Sequence, residues 1–352
     1  MPLISCGQVN EETRSLKQEA GNHFNNRNYE ASIKVLNKLL NIEPYYDTAY
    51  FQLGVNYLYL NNSELAELNF KKCIEINKEY AQVYVFMGIM VRGTGKELDL
   101  WETAMSKAKD NATKGTAAGF IGEMYFDQGD YVKAINYFET AIPLEKSRYF
   151  LLESLGDSYV KLGNLDKAKV AYQKQIKIDS SNIKVWHKLA EVKSKKGDYQ
   201  EAIADLMVCL EIDPQNNQTL HNLGYWLYET GEFKKSNSYL NRVTIDYPKY
   251  YMTRTMIAKV NHKMGDQEKA CKLWNSIISE LYKEGYEIEE IVENVSGSMV
   301  KTTRVHTPID QPEAIKDIEE YGVEKAHSKL FRDSKSRVLS EVYMMKQENC
   351  LN

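Results

Sequence analysis

Two histidines set thirty-four residues apart are the first side chains in this sequence that could do chemistry. His187 and His221 share that spacing, and Glu191 follows His187 by one helical turn. Imidazole and carboxylate are zinc ligands, and imidazole titrates near neutral pH. Neighbouring packed helices, however, have axes about 8–10 Å apart, so the rings need not converge. The spacing suits a pH-sensitive contact better than a ligand set, and no metal or cofactor is expected. The five cysteines (Cys6, Cys73, Cys209, Cys271 and Cys350) form no CxxC or Cys/His pattern. Cys73 and Cys209 read as buried thiols, which suits a reducing compartment. There is no Gly-rich phosphate loop, no HExxH and no G-x-S-x-G elbow. The chain is expected to bind rather than to catalyse.

The elements that must position these residues are helices. In residues 115–148, Ala118, Ile121, Gly122 and Tyr125 follow the i, i+3, i+4, i+7 spacing of an amphipathic helix. Gly129-Asp130 breaks it, and Tyr131, Ala134, Phe138 and Ala141 give a second stripe. A turn this short leaves only an antiparallel pair. Such a hairpin buries one face and needs neighbours to cover the other. Steps of 34 residues supply them: the Gly122 position becomes Ala20, Gly54, Gly88, Gly156, Ala190, Gly224 and Ala258. The small position of the second helix reads Ser32, Ala66, Leu100, Ala134, Ala168, Ala202, Ser236 and Ala270. The bulky position reads Leu36, Phe70, Ala104, Phe138, Tyr172, Leu206, Leu240 and Trp274.

This pattern resembles the tetratricopeptide repeat family, whose period is 34 residues and whose signature is W-x2-L-G-x2-Y … A-x3-F … P. The resemblance covers about residues 13–284 in eight copies: 13–46, 47–80, 81–114, 115–148, 149–182, 183–216, 217–250 and 251–284. It implies an all-α, right-handed superhelical solenoid of antiparallel helix pairs. Some positions depart from the pattern. The third copy has Val91, Leu100 and Ala104 where Tyr, Ala and Phe belong, and is expected to be irregular. Arg27 and Asn61 stand at turn-glycine positions, and Lys193 replaces an aromatic residue.

In that family the first helices line a concave groove that binds peptides or helices. Mapped onto this chain, the groove positions give an apolar floor of Phe51, Val55, Leu58, Val85 and Ile89. They then give an acidic band of Glu123, Phe126, Glu153 and Asp157. A mixed stretch follows: Lys184, His187, Glu191, His221, Tyr225, Tyr228, Lys259 and His262. The implied function is a non-enzymatic adaptor with a protein partner. The family's carboxylate clamp for chaperone tails ending in EEVD is not expected: Lys17 is present, but Gly21, Gln52, Gln82 and Phe86 supply no further cation.

A net charge of −4 argues against nucleic-acid binding through a basic face. No run of about 18 apolar residues spans a membrane, and a cytoplasmic location is expected. Residues 1–12 read as an extension. Leu3-Ile4-Ser5-Cys6 has the look of a lipoprotein cleavage box without its apolar stretch, so the alternative is an assembly factor tethered through Cys6, periplasmic or at the cell surface, if the start lies upstream of Met1. A third reading is an enzyme-associated regulatory subunit. Past the repeats, Ile288, Ile291, Val292 and Val295 continue the helical stripe, and 285–296 is expected to be a capping helix. Residues 297–352 then read as a linker and a helical tail, with helices over 311–321 and 323–347 that pack on the solenoid or lie in its groove.

Overall fold

The computed structural model describes residues 6–144, 149–246, 251–295, 298–306 and 334–350. The chain forms two compact units, Met1–Ser180 and Ser181–Asn352. The first contains α1 (Cys6–Asn25), α2 (Tyr29–Ile42), α3 (Asp47–Tyr59), α4 (Ser63–Ile76), α5 (Ala81–Met90), α6 (Glu97–Lys107), α7 (Asn111–Asp127), α8 (Tyr131–Ala141), α9 (Leu151–Lys161) and α10 (Leu165–Ile178). The second contains α11 (Ile183–Lys195), α12 (Tyr199–Ile212), α13 (Asn217–Glu229), α14 (Phe233–Asp246), α15 (Tyr251–Lys263) and α16 (Gln267–Lys283). It closes with strands β1 (Glu287–Val295) and β2 (Ser298–His306) and with α17 (Ser334–Asn349). Within each unit, helices pair as antiparallel hairpins, and each second helix packs on the first helix of the next pair.

The small-to-large contact inside each hairpin explains the spacing. A Cβ added at Gly122 would lie 2.7 Å from the Phe138 ring, and one at Gly156 would lie 2.4 Å from Tyr172. Only a bare backbone lets these side chains lie flat on the facing helix, where they are fully buried. Where serine holds the small position of the second helix, its hydroxyl donates across the hairpin. Ser32 Oγ reaches the Ala20 carbonyl (3.1 Å) and Ser236 Oγ the Gly224 carbonyl (2.6 Å). The turn closing each pair needs a left-handed residue. Gly129, Gly163, Gly197, Gly231 and Gly265 supply it, and Arg27 and Asn61 adopt it with φ of 57° and 56°. An Asn or Asp then caps the second helix, as Asn62 accepts from the Leu65 N–H (3.1 Å) and Asp130 from that of Lys133 (3.2 Å).

The third hairpin is irregular, and the packing shows how. Ala104 is too small for the bulky position, and Trp101, three residues earlier, takes its place against Gly88. Its indole Nε1 donates to the buried Val85 carbonyl (3.2 Å). To fit, α5 stops at Met90, α6 stops at Lys107 and α7 starts early, at Asn111.

The region past the repeats corrects the expected capping helix. Residues 287–295 form β1, paired antiparallel with β2 in a register running from Glu287↔His306 to Val295↔Ser298. Segment 297–309, read as a linker, thus contributes a strand, and the architecture is all-α only up to α16. Ile/Val-rich sequence favours a strand, and over nine residues an apolar 3.6 period is not distinct from a short β run. The cap is instead α17. It packs on α16 and α15, as α15 packs on α14 and α13, so it occupies the place of a ninth first helix. Val338, Leu339 and Val342 cover Trp274, Ile277, Ile278 and Leu281 of α16, which are all buried. Of the expected tail helices, 311–321 lies outside the described residues, and only the part from 334 of the second is described. At the other end, residues 6–12, read as an extension, continue α1; the Cys6 side chain lies outside the described residues.

Candidate functional site

In the first unit the first helices α1, α3 and α5 surround an apolar cleft of about 450 Å³. Phe24, Phe51, Val55, Tyr59 and Phe86 line it. Phe51 meets Phe86 edge-on at 5.5 Å between ring centroids, and Phe24 meets Tyr59 at 5.6 Å. Tyr59 also stacks on Tyr29 (4.9 Å, 9° between planes) and is 58% exposed. Rings locked against one another present apolar surface without losing further rotamer freedom on contact.

The remaining sequence-predicted floor residues divide. Leu58 is half-buried and Ile89 is exposed, whereas Val55 and Val85 are buried core residues, only 7% and 3% exposed. For Val85 this is a correction: it packs with Trp101, Ala117 and Ile121 rather than lining a groove.

The acidic band is also altered. Arg92, from the irregular third turn, reaches Glu123 (3.6 Å) and Asp127 (3.4 Å). Asp157 accepts the hydroxyl proton of the buried Tyr172 (2.6 Å), so it completes the core of its hairpin. Phe126 packs edge-on against Tyr131 (5.6 Å), and Glu153 is half-buried.

In the second unit a more polar groove of about 850 Å³ lies over α11 and α13, lined by Lys184, His187, Glu191, Asn222, Tyr225 and Trp226 among others. Here the two histidines are structural partners of threonines one repeat on. His187 Nε2 lies 2.7 Å from Thr219 Oγ1, and His221 Nδ1 lies 2.8 Å from Thr253 Oγ1. Thr219 donates its own proton to Asn216 Oδ1 (2.9 Å), so His187 donates through Nε2 and accepts at Nδ1 from Asn222 (3.4 Å). Burial pushes both imidazoles below their ordinary pKa. Glu191 pairs with Lys195 (2.6 Å), so the three candidate ligands point to separate partners. Among the described residues no group of three or more His, Cys, Asp or Glu could hold a metal ion.

Tyr225 is 36% exposed and packs edge-on against Trp226 (4.7 Å), while Tyr228 leans on Phe233 (5.6 Å). Burial, then the carboxylate of Glu229, raises both phenol pKa values, and Glu341 of α17 adds to this. Lys259 is held by that same Glu341, and His262 Nδ1 lies 2.6 Å from Gln267 Oε1.

Cys73 and Cys209 are buried, and burial pushes each thiol up to about 12. Cys271 and Cys350 are joined in a disulfide with a Cα–Cα distance of 5.9 Å, a pairing that the spacing of the cysteines did not signal.

Two family models, described as TPR repeat and Tetratricopeptide repeat, match residues 156–197 and residues 47–80, 116–147 and 183–216 respectively. The chain carries tetratricopeptide repeats. A solved structure of the C-terminal part of a TPR repeat-containing protein from Cytophaga hutchinsonii matches with a TM-score of 0.56 at 17% identity, covering 68% of this chain and 98% of that one. The structure of YrrB, described as a TPR protein with an unusual peptide-binding site, matches with a TM-score of 0.47 at 21% identity, covering 52% and 95%. At 17% identity the likeness to the Cytophaga hutchinsonii structure is one of fold alone. No curated protein matches the sequence.

In this tetratricopeptide repeat chain, Lys17 bonds Glu43 (3.0 Å) and lies over the Tyr46 ring (4.0 Å). It is therefore already engaged at the position a carboxylate clamp would use. Sequence reasoning missed Phe24, Tyr59, Phe86 and Trp226 as lining residues. Phe24 stands at the twelfth position of its repeat, where Leu58 stands in the next, so the same positional rule applied to the first copy points to it. Tyr59, Phe86 and Trp226 stand off that rule and had no signal. No helix among the described residues is long and apolar enough to cross a membrane.

Proposed function

We propose that the chain is a non-enzymatic adaptor that holds an extended peptide or a helix of a protein partner along the first helices of its repeats. The carrying observation is the cleft of Phe24, Phe51, Tyr59 and Phe86. It is concave, apolar, walled by preformed rings and set on three successive first helices. Its volume falls in the range of specific ligand sites, and aromatic anchors dominate binding energy at interfaces. Tyr225 and Trp226 offer a second, more polar anchor in the other unit. The engaged Lys17 supports the view that the partner is not a chaperone tail ending in EEVD.

The test is affinity purification from native cells with wild type, Phe24→Ala/Phe51→Ala and Tyr225→Ala/Tyr228→Ala, read by mass spectrometry. A partner lost from either variant with helical content unchanged supports groove recognition. Retention of every partner by both variants overturns it.

A second reading is favoured by the Cys271–Cys350 disulfide, because such bonds persist mainly in oxidising compartments. In that reading the chain is an exported assembly factor tethered through Cys6. The intact mass of the native N-terminus decides: a lipid-modified Cys6 supports it, and an unmodified start removes it.

A further inference from the structure

The last repeat ends on a face that the repeats themselves cannot cover. Trp274, Ile277, Ile278 and Leu281 of α16 form an apolar stripe, and the helix that buries it returns only after residues 287–333. That helix, α17, is fastened along its length. Lys335 bonds Glu284 (2.8 Å) near its start, Glu341 holds Lys259 at its middle, and Gln267 donates to the Asn349 carbonyl near its end. At the same end Cys350 is bonded to Cys271, 79 residues away in sequence. Both cysteines are only half-buried, within reach of a soluble thiol, whereas Cys73 and Cys209 are sealed in the core. The polar fastenings are exposed or part-buried and individually weak. The disulfide adds a covalent tie to them.

We infer that the α16 face is a helix-docking site closed by a redox latch, with α17 as its resident occupant. The partner it fits is an amphipathic helix with apolar side chains at the spacing of Val338, Leu339 and Val342 and a carboxylate at the place of Glu341, facing Lys259. A dithiol reductant opens the latch: its thiolate attacks the Cys271–Cys350 bond, two protein thiols form, and the reductant leaves as its own disulfide. The freed α17 stays tethered at high effective concentration, so a competing helix displaces it only when it binds tightly or is itself captured.

Disulfide capture tests this on the full chain. Cys350→Ser protein in a Cys6→Ser background is mixed with a synthetic peptide of residues 334–350 that keeps its own Cys350, in a buffer containing oxidised glutathione. Peptide and protein thiols give a mixed chain–peptide disulfide as glutathione is reduced. The expected result is an adduct at Cys271 in at least about tenfold higher yield than with a scrambled peptide ending in the same cysteine. Charge reversal at Lys259 (Lys259→Glu) lowers the yield, and Glu341→Lys in the peptide restores it. Hydrogen exchange on the wild type reads the latch separately, with faster exchange over α17 after reduction and α11–α15 unchanged. Equal yields from native and scrambled peptides overturn the proposal. So does unchanged α17 exchange, or collapse of the whole unit on reduction, which makes the bond a strut and not a latch.

Discussion

Lys193 and Asp205 form an ion pair inside the hairpin of α11 and α12, with Lys193 Nζ 2.8 Å from Asp205 Oδ1 and each side chain only 9% exposed. The pair occupies the place where other copies carry an aromatic residue, such as Tyr125 and Tyr159. It explains how a lysine is tolerated at that position: its charge is matched by a carboxylate on the facing helix. Removing Asp205 leaves Lys193 buried with the mostly exposed Glu201, 3.5 Å away, as its remaining carboxylate partner. Asp205→Ala is therefore expected to cost about 3–5 kcal/mol, and the double change Lys193→Met/Asp205→Leu to recover most of it. Urea unfolding of the three proteins checks this, and an Asp205→Ala cost below about 1 kcal/mol counts against a buried pair.

The left-handed turns predict a gain. Arg27 and Asn61 adopt positive φ without the freedom of glycine. A non-glycine residue there loses roughly 1–2 kcal/mol, and asparagine tolerates it better than arginine. Arg27→Gly is expected to raise the melting temperature, and by more than Asn61→Gly does. The reverse order in thermal unfolding contradicts the argument.

At the hairpin contacts the expected effect is a loss. Alanine at Gly156 places its Cβ 2.4 Å from the Tyr172 ring, whose hydroxyl is fixed on Asp157. The ring cannot withdraw without breaking that bond, so Gly156→Ala is expected to cost about 1–3 kcal/mol. Pairing it with Tyr172→Leu relieves the clash, because leucine already sits opposite alanine at Leu206 and Ala190. A double-mutant cycle with no coupling between the two sites removes the explanation.

The buried histidines give a pH dependence of definite sign. Burial lowers the folded-state pKa of His187 and His221 below an unfolded value near 6.5. Above that pH both states hold neutral rings and nothing is lost. As pH falls below about 6.5 the unfolded chain binds protons that the folded one refuses, so stability falls until the folded values are reached. The urea midpoint is expected to drop between pH 8 and pH 5.5, and His187→Gln/His221→Gln to flatten that drop. An equally steep drop in the double variant assigns it elsewhere.

The hairpins and their pairing were legible because they are local. The small residue, the bulky residue and the turn residue lie within one 34-residue window, and helical spacing converts directly into a buried stripe. The groove was legible only in part. Position along a helix says which way a residue leans, but not whether Trp101 will slide over Val85 or Tyr172 will claim Asp157. Those outcomes depend on which side chain fills a gap in close packing.

What the sequence alone determined about this protein is its repeating unit: the paired apolar stripes, the turn chemistry and the need of each hairpin for a neighbour. The tertiary structure decided how the array ends. The stripe of Ile288, Ile291, Val292 and Val295 is compatible with helix or strand, and pairing with 298–306 made it a strand. The cap came from residues 334–349, brought onto α16 by apolar contacts and by a bond between Cys271 and Cys350. Contacts across such separations leave no periodic trace in the chain, because they are set by which exposed apolar face remains to be covered once the local units have formed.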